Sequence, residues 1–161
     1  MTVGDLATHS EQIAVDEVFP HTPDVIWATL TRPELIARWL RMTPVGFEPL
    51  VGNRFTYQTS PGGKWDGTIR CEVVEVIPNQ RLAYSWKGGH AENQGYGSLL
   101  DTVVTLTLEA VEGGTRLRVV HSGFVLPRNE TAYRNMSGGW TQVVQRIGEL
   151  SGEQDVTDVS R

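Results

Sequence analysis

The chain has 161 residues, 39% of them apolar and 20% charged, with a formal net charge of −5. That length suits one domain with a substantial core and leaves little for a second. The acidic balance and scattered basic residues exclude the basic stripe of a nucleic-acid surface and disfavour anionic-membrane binding, and a single cysteine, Cys71, excludes an internal disulfide.

Residues 1–10 (MTVGDLATHS) carry neither a basic start nor an apolar run, so no secretory leader is expected. No stretch reaches the roughly 18 apolar residues of a membrane span. A cytoplasmic location is the resulting expectation. Residues 1–10 and 151–161 (SGEQDVTDVSR) are polar and aperiodic, and are predicted loose ends around a domain at 11–150. Ile13 to Phe19 predicts a first strand, stopped by Pro20. Thr22-Pro23 then reads as an N-cap with proline at the first helical position, opening a short helix over Asp24–Leu30. Thr31-Arg32-Pro33-Glu34 reads as a second start, with Thr31 and Glu34 as a capping box. The helix Pro33–Arg41 presents Leu35, Ile36, Trp39 and Leu40 at helical spacing.

Strand patterning follows. Arg54–Thr59 alternates, with Phe55 and Tyr57 on one face. After the turn Ser60-Pro61-Gly62-Gly63, the segment Trp65–Val76 puts Trp65, Ile69, Cys71 and Val73 together, and its alternation slips at Val73-Val74, predicting a bulge. Leu82, Tyr84 and Trp86 line one face of the next strand. Residues 88–98 (GGHAENQGYGS) form a glycine-rich loop, which predicts either a cavity lid or surface disorder. Leu100–Ala110 alternates again, and Glu112-Gly113-Gly114 turns the chain into Thr115–Phe124, where Leu117, Val119 and His121 share a face. Turns this short require antiparallel pairing. After Pro127, Tyr133, Met136, Trp140, Val144 and Ile147 trace one stripe of a long helix. Gly138-Gly139 within it predicts close packing or a bend. The expected class is α+β, an antiparallel sheet of about six or seven strands wrapped around a long C-terminal helix, with two short helices after the first strand.

That order of elements, and particular stretches within it, resemble the helix-grip fold of the START-like (SRPBCC) superfamily. Phe19-Pro20-His21-Thr22-Pro23-Asp24-Val25-Ile26-Trp27-Ala28, followed by Leu30-Thr31-Arg32-Pro33-Glu34-Leu35-Ile36-Ala37-Arg38-Trp39, is similar to the opening of its heat-shock-protein ATPase activator-like branch. Glu75-Val76-Ile77-Pro78-Asn79-Gln80-Arg81-Leu82-Ala83-Tyr84-Ser85-Trp86 resembles that branch's middle hairpin. Gly114-Thr115-Arg116-Leu117, His121-Ser122-Gly123-Phe124 and Gly139-Trp140 resemble its end, so the likeness runs from about residue 12 to 150. The resemblance implies binding or sequestration of hydrophobic small molecules, with polyketide cyclases and aromatases as more distant relatives. A shared fold does not itself fix an activity.

An inward set follows if the sheet grips the helix: Phe55, Tyr57, Ile69, Cys71, Tyr84, Trp86, Val104, Leu106, Val119, His121, Met136, Trp140 and Val144. All of these except Cys71 and Val104 are candidate ligand-binding residues for an aromatic or lipid-like compound; the same pattern also describes a filled core. His121 is the candidate acid or base for a cyclase- or hydrolase-like alternative, partnered by Tyr57 or Tyr84, and is otherwise a buried, bonded imidazole. Cys71 has no basic neighbour on its face and reads as an inert thiol. Ser85, His121 and Asp101 form a triad only on paper, because Ser85 and Asp101 fall on outward faces. The four histidines show no i, i+4 spacing, so neither metal nor cofactor is expected. A third reading, a chaperone partner, interaction module or homodimer, meets the polar outward positions Arg54, Gln58, Arg70, Glu72, Arg116 and Arg118.

Overall fold

The computed structural model describes residues 9–159, with side chains described as far as Gln154. Six strands, β1 (His9–Phe19), β2 (Arg54–Gln58), β3 (Thr68–Ile77), β4 (Arg81–Gly88), β5 (Leu100–Val111) and β6 (Gly114–Leu126), make one antiparallel sheet in the order β1-β6-β5-β4-β3-β2. Three helices, α1 (Pro23–Thr31), α2 (Pro33–Leu40) and α3 (Glu130–Val159), complete the chain. The strands from β2 to β6 pair in sequence order, and β1 adds to the far side of β6. The segment containing α1 and α2 therefore carries the chain from one edge of the sheet to the other.

Alternation in the strands separates a charged outer face from an apolar inner one. On the outer face, opposite charges sit on residues that are cross-strand partners: Arg54 with Glu72 at 3.2 Å, Lys87 with Asp101 at 3.8 Å, Arg118 with Asp16 at 3.8 Å and Arg116 with Glu109 at 4.0 Å. Each exposed pair contributes less than about 1 kcal/mol. Their larger effect is on register, since a one-residue slip would turn all of these charges into the core. The slip predicted at Val73-Val74 is a register shift between Val73 and Glu75, which leaves Val74 pointing to solvent. On the inner face Phe55 stands edge-on to Phe47, Tyr57 and Tyr84, with centroids 4.9–5.5 Å apart.

Helix α3 crosses this inner face and packs on α1, α2, β1 and β6. Its stripe Trp140, Val143, Val144, Ile147 and Leu150 is buried. Polar groups lock the same end. Ser151 Oγ donates to Thr29 Oγ1 at 3.0 Å, the Trp39 indole donates to the Thr29 carbonyl at 2.9 Å, and Arg146 Nε donates to the Trp39 carbonyl at 2.9 Å.

Several local expectations are corrected. The capping box does not form: Arg32, not Thr31, is the N-cap of α2, and Thr31 Oγ1 donates backward to the Trp27 carbonyl at 2.8 Å. A helix-interior threonine has its own i−4 carbonyl within reach, and here that bond prevails. Helix α2 ends at Leu40 because Arg41 takes a left-handed conformation, φ 63°. Gly138 and Gly139 are not packing sites, for an added Cβ at either would meet no described atom within 4 Å outside the helix. At the N-terminus, His9 and Ser10 belong to β1, and the remainder of the predicted loose end lies outside the described residues. At the C-terminus, the segment read as loose from 151 continues α3 to Val159; Ser151 is still an inward, bonded helix position, which its polarity hid.

Candidate functional site

The inward set divides into two groups. Phe55, Tyr57, Tyr84, Leu106, Val119, His121 and Val144 are buried in the core, together with Cys71 and Val104. Ile69, Trp86, Met136 and Trp140 instead border open space between the sheet and the first turns of α3.

His121 shows why the first group packs as it does. Its β6 register brings it beside Val104 of β5, with its ring facing α3. The Trp140 indole donates to His121 Nδ1 at 3.0 Å, and Nε2 lies 2.8 Å from Thr102 Oγ1, which itself donates to the Trp86 carbonyl at 2.7 Å. Nδ1 accepts and the threonine hydrogen is already committed, so the hydrogen count assigns the imidazole proton to Nε2. The ring is neutral and fully buried, and burial lowers its pKa to about 3. Burial likewise raises the hydroxyls of Tyr57 and Tyr84 well above the usual tyrosine range and lifts the Cys71 thiol to about 12. Tyr84 Oη has no bond of good geometry among the described residues, although the Tyr57 hydroxyl is its neighbour. The paper triad does not assemble. Ser85 Oγ accepts from the Glu72 amide and Asp101 pairs with Lys87, both away from the His121 interior face.

The open space begins where the core stops. A cavity of about 150 Å³ is bounded by Trp65 and Ile69 from the β2–β3 hairpin, Trp86 and Leu100 from the sheet, and Ala132 and Met136 from α3. Gly88, Gly89, Tyr96, Gly97 and Ser98 form its loop wall. A groove of about 250 Å³ adjoins it, sharing Met42, Trp86, Asn135 and Met136 and running past Trp140 to Arg146. Arg146 stands at the groove's end, where partial burial and then the nearby Arg41 charge lower its pKa while Glu149 opposes them.

Two loops cover the cavity, and they are clasped together. The Asn93 amide accepts from the Lys64 backbone at 3.0 Å and donates to the Gly62 carbonyl at 2.7 Å, and Tyr96 Oη donates to the Ser60 carbonyl at 2.5 Å. Lys64 also pairs with Glu92. Glycine is needed where the loops touch: a Cβ on Gly97 would stand 2.6 Å from Asn93 Nδ2, and one on Gly62 would stand 2.6 Å from the Tyr96 ring. Asn129, buried at the start of α3, ties the loop's end down by donating to Ser98 Oγ at 3.0 Å and the Leu99 carbonyl at 2.9 Å. The 88–98 segment is thus bonded both to the 60–64 turn and to the residue that precedes α3.

The sequence does not mark Met42 or Asn135 of this wall, which lie in a loop and on a helix flank where periodicity gives no face. Trp65 shares the face that alternation gives Ile69, and Tyr96 lies in the 88–98 loop, expected either as a lid or as surface disorder. One signal was present: each glycine-rich turn carries an aromatic residue, Trp65 or Tyr96, and the two rings stand 5.8 Å apart across the clasp. Among the described residues no group of three His, Cys, Asp or Glu is placed to hold a metal ion, and no helix is long and apolar enough to cross a membrane.

The family described as Activator of Hsp90 ATPase homolog 1-like protein matches residues 20–152. Among solved structures, protein MLL2253 from Mesorhizobium loti is 36% identical, with 89% of this chain and 98% of that one covered and a TM-score of 0.75. The Aha1 dimer from Colwellia psychrerythraea is 19% identical over 86% of this chain and 94% of that one, with a TM-score of 0.66. DynU16, from the dynemicin biosynthetic locus, is 21% identical over 86% of this chain and 46% of that one, with a TM-score of 0.64. The last two show likeness of fold alone. No curated protein matches the chain.

Proposed function

The chain belongs to the Activator of Hsp90 ATPase homolog 1-like family, and on that premise we propose that it binds a small apolar compound beneath its two clasped loops. The observation that carries this reading is the cavity of about 150 Å³ walled by Trp65, Ile69, Trp86, Leu100 and Met136, beside the buried cluster that holds Phe55, Tyr57, Tyr84 and Val104. An apolar cavity of about that size admits a single aromatic ring. The adjoining groove of about 250 Å³ offers space for a substituent, approaching the lower end of ordinary ligand sites. Loops held by Asn93 and Tyr96 would then act as the cover that excludes water.

A cyclase- or hydrolase-like activity through His121 has less behind it. Both ring nitrogens are engaged within the protein, and burial that lowers the pKa to about 3 keeps the ring neutral and weakly basic at neutral pH. A chaperone-partner role draws only on the family's name. A homodimer, the state named for the Colwellia structure, would have to avoid the charged outer face or neutralise it.

Thermal unfolding with substituted benzenes and naphthalenes tests the proposal. A ligand at a hundred times its dissociation constant adds about 2.7 kcal/mol, a rise of roughly 5–10 °C for a domain of this size. Ala132→Trp places an indole in the cavity and removes that rise. If no compound raises the melting temperature, and a crystal structure shows Trp65 and Met136 meeting across the space, the proposal fails.

A further inference from the structure

Arg146 and Arg41 bring two positive charges to the end of the groove, and among the described residues neither has an ion pair. Arg146 lines the groove, and Arg41 lies in the chain between Leu40 and Met42, which line it as well. The two charges are near enough for Arg41 to lower the Arg146 pKa. Elsewhere the chain partners its arginines: Arg38, Arg54, Arg81, Arg116, Arg118 and Arg134 each have a carboxylate within 4.0 Å. Glu149 acts on Arg146 electrostatically but closes no ion pair with it. Like charges brought together repel, and an anion shared by them relieves that repulsion.

The Arg146 guanidinium is also held in place. Its Nε donates to the Trp39 carbonyl at 2.9 Å, which fixes the plane and leaves both Nη groups without a described partner. Those two groups make a fork that a carboxylate meets with two parallel hydrogen bonds. Arg146 is half-buried, so an ion pair here escapes part of the screening that weakens exposed pairs. Among the described residues no lysine or arginine lines the cavity itself, so an acid group belongs in the groove and not beneath the loops. Met42, Trp86, Asn135 and Met136 border both spaces, so one elongated molecule can occupy them together. Arg146 is ten residues beyond Met136 on α3, about 15 Å along the axis. Helical side chains leave the backbone tilted toward the N-terminus, which shortens that span. We infer that the substituent lying in the groove ends in a carboxylate bound by Arg146, with Arg41 as a second, outer charge. The inference rests on the reading that the cavity holds an apolar body. The ligand class is then an aryl- or alkyl-carboxylic acid, with a chain of several carbons before the acid group.

Phenylhexanoic acid and phenylhexanamide separate this inference from the reading beneath it, because they share ring and chain and differ in the charge of the head group. Their dissociation constants would be measured by calorimetry near neutral pH against the intact protein, Arg146→Gln and Arg41→Gln. Comparing the acid-to-amide ratio between proteins cancels each compound's own hydration. Loss of the charged hydrogen bonds shifts that ratio against the acid by about tenfold in Arg146→Gln. Loss of the outer, exposed charge shifts it by about threefold in Arg41→Gln. Arg146→Gln also removes the bond to the Trp39 carbonyl. Should that variant fail to fold, the salt response of the intact protein decides: added sodium chloride weakens the acid and spares the amide. The net charge of the chain is −5, so acid binding that weakens with salt reports a local positive site. If only the acid binds, its own weakening in Arg146→Gln is the same test. A ratio unchanged in Arg146→Gln, a salt response common to both compounds, or binding of the amide alone overturns the carboxylate and leaves the apolar site standing. A ratio unchanged in Arg41→Gln alone removes the outer charge from the site. Binding of neither compound overturns the apolar site and the carboxylate with it.

Discussion

The middle turns of α3 and its first turns meet the same sheet under opposite conditions. From Val143 to Ser151 the inward positions are buried, and even Gly148 is closed in by the Phe19 ring. From Ala132 to Gly139 the inward positions are only partly covered and border the cavity and groove. One continuous helix is therefore a core element through its middle turns and a cavity wall in its first turns. The difference teaches that the grip is asymmetric: α1 and α2 pack on the middle turns, while among the described residues the first turns meet the two loops and Met42 across open space. Stability and binding are thereby assigned to different stretches of the helix.

The sharpest way to break that division is to truncate one side chain at each end. Ile147→Ala removes a fully buried side chain and leaves a hole in a region with no room to relax, at a cost of about 3–4 kcal/mol. Met136→Ala removes a half-buried side chain that already borders open space, and costs under about 1 kcal/mol while enlarging the cavity. Urea denaturation of the two variants measures both. Equal losses would mean that the first turns of α3 are as much core as the middle ones.

His121 sits where the two regions meet, and its titration reports which of them it belongs to. Below about pH 6.5 the unfolded chain takes up a proton at this residue that the folded chain refuses until about pH 3. Folding then releases a proton, and stability falls with pH by about 1.4 kcal/mol per unit across that window, with no effect above it. Carboxylates add their own dependence, so the measurement is the difference in slope between the parent protein and His121→Phe from pH 6.5 to 4.5. A shared slope would mean that water reaches the ring from the open side and holds its pKa near the ordinary value.

How much of this was legible beforehand follows the same boundary. The strands announced themselves by alternation, the bulge at Val74 by its interruption, and the stripe from Tyr133 to Ile147 by helical spacing, because each depends on which face is apolar. The cavity depends on something else, the volume left after side chains from distant segments have been placed. Alternation assigned Tyr57, Tyr84 and His121 to the interior correctly, but could not say that other atoms would fill the space beside them. Nor could it place Tyr96 against the first turns of α3, since its loop has no period, or say that Trp65, on the face of Ile69, would border the same space. The pair Gly138-Gly139 is ambiguous for a related reason: of close packing and a bend, the first is not met. Glycine in a helix marks either a neighbour pressed close or no neighbour at all, and the sequence contains no sign of which.

That ambiguity yields the smallest effect and the most direct contrast, a single substitution made at both ends. At Gly148 an added methyl group would fall within the van der Waals envelope of the Phe19 ring, so the ring must swing outward or the helix must lift from β1. Overpacking of this kind costs about 1–3 kcal/mol, against roughly 1 kcal/mol recovered from alanine's better helix propensity. Gly148→Ala is accordingly expected to lower stability by about 1 kcal/mol. At Gly138 the same methyl group meets no described atom within 4 Å outside the helix, so the propensity gain stands alone and Gly138→Ala raises stability by about 0.5–1 kcal/mol. Opposite signs from one chemical change would locate the seam between core and cavity wall within the nine residues separating the two glycines. If both variants were stabilised, the Phe19 contact would be soft, and the closed end of the grip would be looser than its burial implies.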